Sequence, residues 1–352
     1  MKLFALFLAI IVGLSVLHLG DSCGSQLTLH TSPFHVKSVK PSRRTTENSI
    51  AESDLKIAQL QDDPLLSNIT RDGVLRGIKE CQKLFENEIW NCPLEMFKML
   101  SFFNNLTYPY ATRESAFMYA ITAAAITHEL TRQCTLGRIP GCGCGTGSGC
   151  GENVAFGRKE AMRFFKILRK GSFPLDTLTT VNLHNYYVGA EIVRESSQLR
   201  GRCDGPFSFN SDPCLIRTMW RVLAPFEVVS SKLKEKYDMA LRVSFINNRL
   251  RSLGPAFPIK QSLVYLDDSP RYFVRNDSIG STGMLGRSCR RDVSDDKYKC
   301  ELFTAICNSC GLNPITVEHY KRVKCKCKFT WCCRVECETC TEKSYTEIKC
   351  SQ

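Results

Sequence analysis

The sequence predicts a mainly α N-terminal domain followed by a disulfide-rich, β-hairpin-containing C-terminal domain. Residues 113–130 form an almost unbroken run of apolar helix formers, which is typical of a helix at the centre of a bundle. Eleven of the 20 cysteines lie between Cys289 and Cys350. Six of them fall within Cys325–Cys340, a stretch with too few apolar side chains for a core, so cross-links must supply its order.

The N-terminus has the pattern of an export signal. Met1 and Lys2 precede an apolar run from Leu3 to Val12, which indicates a secretory signal peptide. No later stretch approaches the roughly 20 apolar residues of a membrane span, so we expect a product secreted to the extracellular space or matrix. Twenty cysteines in an exported chain favour a disulfide framework. We divide the chain into a signal peptide at 1–22, a flexible leader at 23–60, a helical domain at 61–246, a linker at 247–262 and a cystine-rich domain at 263–352.

Hydrophobic periodicity predicts the elements of the helical domain in order. The predicted helices run from Asp72 to near Trp90, from Arg113 to Leu130, from about Asn153 to Leu168 and from about Leu178 to Leu199. Between the second and third, the glycine-rich segment Cys134–Cys150 excludes regular structure. Turn residues between Cys203 and Cys214 predict a closed hairpin, and regular structure resumes at 216–223 and 233–245.

The stretch Cys325–Cys340 predicts a narrow projection with two strand-like arms. Its tip, Lys328–Cys333, carries Phe329 and Trp331, which the segment itself cannot bury. Large aromatics in such a position are candidates for an anchor that a partner buries.

The formal net charge of +12 favours anionic partners. Lysine and arginine cluster at 166–170, 287–291 and 321–328, and outside the cell such surfaces meet heparan sulfate or anionic headgroups rather than nucleic acid. A solvated basic face is an equally good interpretation of any one cluster.

The sequence argues against an enzyme and against a bound cofactor. The glycine-rich run at 141–151 lacks a phosphate-loop motif, and His128 and His184 lie on helical faces without a nucleophile in view. The adjacent Cys332 and Cys333 suit an oxidised link better than zinc. Three sequons predict N-glycosylation, of which the second is favoured: Asn68, Asn105 and Asn276.

Several of these stretches together resemble the Wnt family of secreted signalling ligands, from about Cys81 to Cys350. One such motif would be weak evidence, but six in order are specific. The matching stretches are 113–117 with 128–134, 150–157, 181–185, 233–238, 263–270 and 325–340.

The resemblance implies a helical domain and a cystine-rich domain that each extend a finger toward the cysteine-rich domain of a Frizzled receptor. It assigns receptor binding to the C-terminal finger at 325–340, and most members have histidine where this chain has Thr330. The implied contact residues are Lys328, Phe329, Thr330, Trp331, Cys332 and Cys333.

The N-terminal finger departs from the family pattern, in which a cross-linked hairpin displays an acylated serine. Gly201 and Met219 stand where the family has two cysteines that pair with each other, and the loop is longer. Ser208 and Ser211 are the two rough matches to the acylated serine, and neither has the usual setting. We therefore expect a ligand without lipid, a pattern shared with the insect branch called Wnt inhibitor of Dorsal, whose members act as feedback inhibitors of Toll/Dorsal signalling.

The resemblance also implies a disulfide pairing. The implied pairs are Cys81–Cys92, Cys134–Cys142, Cys144–Cys150, Cys203–Cys214, Cys289–Cys300, Cys307–Cys350, Cys325–Cys340, Cys327–Cys337 and Cys332–Cys333. Cys310 is left over because Phe273 occupies the place of its family partner. It is free, pairs with Cys23, or links two molecules.

Two functions remain open at this point. An agonist must contact Frizzled and a co-receptor, whereas a soluble antagonist occupies Frizzled or a proteoglycan without forming a signalling complex. In both cases, replacing Trp331 by Ala should weaken binding to Frizzled.

Overall fold

The computed structural model describes the greater part of the chain from residue 63 onward. The described residues are 63–100, 108–145, 147–168, 177–203, 217–247, 249–254, 258–295 and 298–352. They form two compact units, 63–86 with 92–270, and 87–91 with 271–352. The predicted signal peptide and leader, Ser208, Ser211 and Asn105 lie outside the described residues. No helix in the described part of the chain has the length and apolar content of a membrane span.

The first unit is a helical bundle, as predicted, with three small strand pairings at its margin. Its helices are α1 (Pro64–Leu84), α2 (Leu94–Lys98), α3 (Arg113–Thr135), α4 (Val154–Leu168), α5 (Thr177–Ser196) and α6 (Phe226–Asp238). Its strands are β1 (Gln198–Cys203), β2 (Arg217–Val222), β3 (Leu241–Ile246), β4 (Arg249–Ser252) and β5 (Val264–Tyr265). Strands β1 and β2 form an antiparallel hairpin, and β3 lies between antiparallel β4 and parallel β5.

Helix α3 is the centre of this bundle and is buried on every side. Thr112 caps its N-terminus, because its Oγ1 accepts a hydrogen bond from the Ser115 N–H at 3.2 Å. Two glycines allow neighbouring helices to approach it closely. A Cβ at Gly189 would overlap the backbone of Ala120, and a Cβ at Gly157 would overlap the Thr131 hydroxyl.

Helix α1 begins earlier and ends earlier than the hydrophobic periodicity predicts. The Asp63 carboxylate caps it, accepting from the Leu65 N–H at 2.8 Å, and Pro64 fits the first turn. Cys81 in its last turn is bonded to Cys92, and the helix ends at Leu84 rather than near Trp90.

The predicted linker at 247–262 is wrong, because this segment is part of the helical unit. It contains β4 and a short 3-10 helix at Ile259–Gln261, and Leu250 and Ile259 pack against a core with Val181 and Leu241. The unit continues to Pro270 rather than ending at 246.

Polar contacts explain why residues 263–270 belong to the helical unit. The Asn185 side-chain amide pairs with the Val264 backbone, donating to its carbonyl at 2.9 Å and accepting its N–H at 3.0 Å. The Ser269 hydroxyl donates to buried Glu114 at 2.8 Å, and the Asp267 carboxylate accepts the Ala111 N–H at 2.7 Å.

The second unit is built on a three-stranded antiparallel sheet in the order β6-β8-β7, which confirms the predicted hairpin-containing domain. Its elements are β6 (Ser288–Asp292), α7 (Glu301–Ser309), β7 (Asn313–Thr330) and β8 (Arg334–Ser351). The core at the base of the sheet is small and rich in sulfur: Met284, Cys289, Cys300, Phe303, Ile306, Cys307 and Cys350. Cross-links therefore replace much of the burial that a larger core would supply.

Among the described residues, disulfides cross-link segments within each of the two units. The pairs present are Cys81–Cys92, Cys134–Cys142, Cys144–Cys150, Cys289–Cys300, Cys307–Cys350, Cys325–Cys340 and Cys327–Cys337. Cys203 and Cys310 are also disulfide-bonded. A free Cys310 is thereby excluded.

Candidate receptor-binding site

The C-terminal finger, residues 325–340, is the outer part of the β7–β8 hairpin. Strand β6 pairs with β8 only at Ser288–Asp292, so beyond that point β7 and β8 run on as two strands alone. The disulfides Cys325–Cys340 and Cys327–Cys337 join the two arms. A bulge with Lys326 at φ 45° interrupts the ladder between them, as Cys325 lies opposite Glu338 and Lys328 opposite Glu336.

The tip of the finger is a three-residue turn, Trp331–Cys333. The last paired residues are Thr330 and Arg334. Cys332 and Cys333 have φ of 78° and 76°, the left-handed region that a tight reversal between antiparallel strands requires.

The expected bond between Cys332 and Cys333 is absent, since both are free, exposed thiols. Adjacent Cα atoms are about 3.8 Å apart across a trans peptide, closer than the roughly 4.4–6.8 Å usual for a disulfide, so a bond between neighbouring cysteines is strained. Both residues take the left-handed φ that reverses the chain, and the Cys327–Cys337 disulfide holds the arms below them.

The tip presents an apolar patch to solvent. Trp331 is 91% exposed, Phe329 is 70% exposed and Val335 is 60% exposed. Val335 lies directly opposite Phe329 in the ladder, so the two side chains share one face of the hairpin. Val335 is a candidate site residue that the sequence did not indicate, because only the strand register places it beside Phe329.

Charged side chains flank this patch asymmetrically. Strand β7 carries a row of exposed basic residues, while β8 opposes it with acidic ones. The basic residues are Lys321, Arg322, Lys324, Lys326 and Lys328. Lys326 Nζ lies 3.2 Å from the Glu338 carboxylate, but both groups are mostly exposed, so such pairs contribute little to stability.

The second basic cluster of the sequence, 287–291, does not form one surface. Arg287 is half-buried and donates to the Ile89 carbonyl at 2.8 Å, and burial lowers its pKa to about 10. Arg290 pairs with Asp292 at 2.8 Å and lies over the Tyr345 ring at 4.0 Å.

The base of the N-terminal hairpin is held by a neighbouring loop. The Gly149 N–H donates to the Met219 carbonyl at 3.0 Å, and the Met219 N–H donates to the Ser148 hydroxyl at 2.7 Å. The Glu152 N–H likewise donates to the Arg221 carbonyl at 3.0 Å. The loop at 148–152 therefore lies along β2 as a third strand would.

Gly201 and Met219 are direct partners across β1 and β2. A Cβ at Gly201 would overlap the Met219 sulfur, so the methionine side chain covers the glycine. Ser208, Ser211 and Cys214 lie in the part of this hairpin that is outside the described residues.

The two helical histidines have structural roles. His128 is buried and its Nε2 donates to the Ala224 carbonyl at 2.9 Å, while burial lowers its pKa to about 4. His184 Nε2 donates to the Ser262 carbonyl at 3.0 Å, and burial lowers its pKa too.

Two of the three predicted glycosylation sites lie within the described residues. Asn68 is exposed on α1, although the Thr70 of its sequon is fully buried. Asn276 is exposed before a short 3-10 helix, and its Oδ1 accepts from the Ser278 hydroxyl at 2.6 Å. Glycosylation at Asn68, Asn105 and Asn276 stays a prediction.

Comparison with known proteins gives matches along most of the chain. The model of the wnt family matches residues 49–351. Protein Wnt-5a of Pleurodeles waltl is 35% identical over 309 residues, covering 82% of this chain and 81% of the relative. Human Protein Wnt-5a is 33% identical over 319 residues, covering 83% and 78%.

Solved structures agree with these matches. A chain of the structure titled "Human WLS in complex with WNT8A" aligns with a TM-score of 0.62 at 30% identity, covering 83% of this chain and 99% of that one. The N-terminal domain and linker of Drosophila WntD align with a TM-score of only 0.41, which does not separate branches of the family. With a family match over most of its length and relatives above 30% identity, this chain belongs to the Wnt family, whose members are secreted signalling ligands and not enzymes.

Proposed function

We propose that this chain is a secreted ligand that binds the cysteine-rich domain of a Frizzled receptor through the tip of its C-terminal finger. The observation that carries the proposal is the exposure of Trp331 and Phe329, at 91% and 70%, on the tip of a cross-linked hairpin. The contact set is Lys328, Phe329, Thr330, Trp331, Cys332 and Cys333, to which we add Val335.

The geometry favours anchoring by the aromatic side chains. A contiguous apolar patch at the end of a projection is costly to keep in water and typical of an interaction site. The two disulfides hold the arms before binding, so little conformational freedom is lost when the tip is buried. A buried aromatic anchor is commonly worth about 2 kcal/mol or more.

Binding of a purified Frizzled cysteine-rich domain to the secreted protein tests this proposal. Trp331→Ala should weaken binding at least about 30-fold, the equivalent of about 2 kcal/mol. Tyr320→Ala is the matched control, because Tyr320 is an exposed aromatic on the same strand, roughly 30 Å from the tip. Equal affinity of both variants and the parent would rule out the tip as the receptor contact.

We further propose that the ligand acts without an acyl chain on Ser208 or Ser211. The support is the pair Gly201 and Met219, which takes the place of a cross-link at the base of the hairpin that would display the serine. A less constrained loop is a poorer substrate for an enzyme that needs a defined geometry. The intact mass of the secreted, deglycosylated protein checks this, and an added acyl mass on either serine would contradict it.

We propose that an unacylated ligand of this kind acts as a feedback inhibitor of Toll/Dorsal signalling, as members of the insect branch called Wnt inhibitor of Dorsal do. The alternative is a soluble antagonist that occupies Frizzled without recruiting a co-receptor. Co-precipitation of a co-receptor ectodomain with the ligand–Frizzled complex separates this antagonist from a ligand that assembles a signalling complex. A ternary complex indicates a signalling ligand, and its absence indicates an antagonist.

Heparan sulfate proteoglycan is the second partner we propose, through the exposed basic row of β7. Arg322→Glu and Lys324→Glu together, two exposed residues on one face of β7, should lower the salt concentration at which the protein elutes from heparin, because sulfate contacts are electrostatic. Charge reversal at exposed Lys232 on α6 is the control for net charge. Identical elution of both variants would indicate a merely solvated row.

A further inference from the structure

The tip of the C-terminal finger keeps its apolar side chains in contact with water. Trp331 lies in the turn, and Phe329 and Val335 form the second pair of the ladder behind it. All three side chains are exposed. Strand β6 pairs with β8 only as far as Asp292, in the row of His319, so the tip extends roughly 35 Å beyond the three-stranded part of the sheet. The aromatic residues can therefore reach a surface that the base of the sheet does not touch.

Cations lie directly behind this apolar tip. Lys328 precedes Phe329, and Arg334 belongs to the last pair of the ladder. Both are exposed, and strand alternation places them on the face opposite to Phe329 and Val335. The stretch 321–338 holds six lysines and arginines against two glutamates. The finger is therefore positively charged from its arms to the edge of its apolar tip.

The spacing of apolar and charged residues matches the surface of a bilayer. Residues of a strand are about 3.3 Å apart, so Phe329 and Val335 lie within about 10 Å of the end of the hairpin. Amphipathic segments at a membrane insert about 5–10 Å into the boundary between headgroups and acyl chains. At that depth Lys328 and Arg334 lie at the level of the headgroups. Lys326, about 7 Å farther back, is still within a Debye length of them.

We propose that the finger tip is an interfacial anchor for a lipid surface that carries anionic headgroups. Trp331 and Phe329 insert at the boundary of headgroups and acyl chains, where aromatic side chains are favoured. Lys328 and Arg334 keep their charges among the headgroups while their aliphatic stems follow the tip. The two disulfides of the arms hold the hairpin beforehand, so insertion orders few residues. This attachment requires no acyl chain.

The apolar tip distinguishes a lipid surface from a sulfated polysaccharide. A polysaccharide would contact the cations of β7 and leave Trp331 and Phe329 in water. A lipid surface contacts the cations and buries the aromatic side chains as well. Attachment to lipid does not require the Frizzled contact proposed above, but the same side chains cannot face both partners, so the two should compete for the tip.

Flotation of the secreted full-length protein with vesicles tests the anchor. The vesicles contain phosphatidylcholine and phosphatidylserine at about four to one, and vesicles of phosphatidylcholine alone are the comparison. We expect binding to the anionic vesicles with a blue shift of tryptophan emission, since Trp331 is exposed whereas Trp90 is buried and Trp220 half-buried. No binding to the anionic vesicles, or equal binding to both kinds, would overturn the proposal.

The aromatic part of the anchor is tested by Trp331→Ala. This variant should weaken vesicle binding at least about tenfold and abolish the blue shift, because its main apolar contact is lost. Tyr320→Ala, an exposed aromatic far from the tip, should leave both unchanged. Vesicle binding that is indifferent to Trp331→Ala would contradict insertion of the tip.

The charged part is tested by Lys326→Glu and Lys328→Glu together. They should weaken vesicle binding at least about tenfold, because each cation near an anionic surface strengthens binding about fivefold. The matched control is Lys79→Glu with Lys232→Glu, which makes the same change of net charge at exposed positions of the helical unit. An equal loss in both double variants would show attraction by net charge alone and would rule out a site at the finger.

Two further measurements separate the lipid anchor from the other partners. Trp331→Ala should elute from heparin at the same salt concentration as the parent, and an equal loss of heparin binding would overturn the assignment of the tip to lipid. A soluble Frizzled cysteine-rich domain should release the protein from vesicles. Vesicle binding that depends on Trp331 but resists the receptor domain would count against the receptor contact alone. Receptor binding that depends on Trp331, without any vesicle binding, would overturn the lipid anchor alone.

Discussion

Gly201 and Met219 lie directly opposite each other in the β1–β2 ladder, and the Met219 sulfur covers the space where a Cβ at Gly201 would stand. Opposed residues in an antiparallel pair have Cα atoms about 4.5–5.5 Å apart, a separation at which two cysteines can bond. Two cysteines at these positions could therefore bond, and the resemblance to the family places a cross-link here.

The double variant Gly201→Cys/Met219→Cys should therefore form a new disulfide. The register predicts no additional alkylatable thiol in the double variant and one in each single variant, as measured by mass after alkylation. Two additional thiols in the double variant would show that the ladder does not hold these residues in register.

Close packing against α3 predicts a destabilising substitution. Gly189→Ala should lower the free energy of unfolding by about 1–3 kcal/mol, because its Cβ would meet the Ala120 backbone and the helices would have to separate. Urea unfolding monitored by circular dichroism measures it. Gly254→Ala is the matched control, since nothing lies within 4 Å of a Cβ there; equal midpoints for the two variants would refute the close approach.

The free thiols at the tip predict rapid modification in the folded protein. Native alkylation should label Cys332 and Cys333, because both are exposed and unpaired. The variant Cys332→Ser/Cys333→Ser should keep Frizzled binding within about threefold if the turn and the arm disulfides shape the tip. Resistance of both residues to alkylation without reductant would mean that they are oxidised.

Burial of His128 predicts that stability falls in mild acid. Its pKa is about 4 in the folded protein, against about 6.5 when unfolded, so the unfolded state takes up a proton first as the pH falls. The contribution is complete above pH 6.5 and is lost between about 6.5 and 4, amounting to at most about 3 kcal/mol.

Urea midpoints at pH 7 and pH 5, with the disulfides intact, measure this effect. His128→Gln keeps a donor toward the Ala224 carbonyl and should show a smaller difference between the two pH values. Parallel profiles for parent and variant would show that His128 does not sense pH in the folded state.

The sequence predicts the fold where burial or cysteine density dominates. Helix α3 is apolar all round and could only lie at a centre, and the cysteine-rich Cys325–Cys340 could only be a cross-linked projection. The linker prediction failed because the polar stretch 249–252 contacts the core through a single apolar residue, Leu250. Farther along, Val264 is held by hydrogen bonds to Asn185, which is distant in the sequence.

The candidate site was likewise predictable only in part. Phe329 and Trp331 were predictable because a short segment between cysteines has nowhere to bury them. Val335 was not, since its place beside Phe329 depends on the strand register that a three-residue turn sets, which no periodicity reveals. The free state of Cys332 and Cys333 is equally hidden in the sequence.

The most direct test of receptor binding through the tip of the finger is a detergent-free titration of a Frizzled cysteine-rich domain with secreted ligand whose intact mass shows no acyl chain. We expect saturable one-to-one binding that Trp331→Ala weakens at least about 30-fold and Tyr320→Ala leaves unchanged. No binding by the unacylated ligand, or binding indifferent to Trp331, would contradict it.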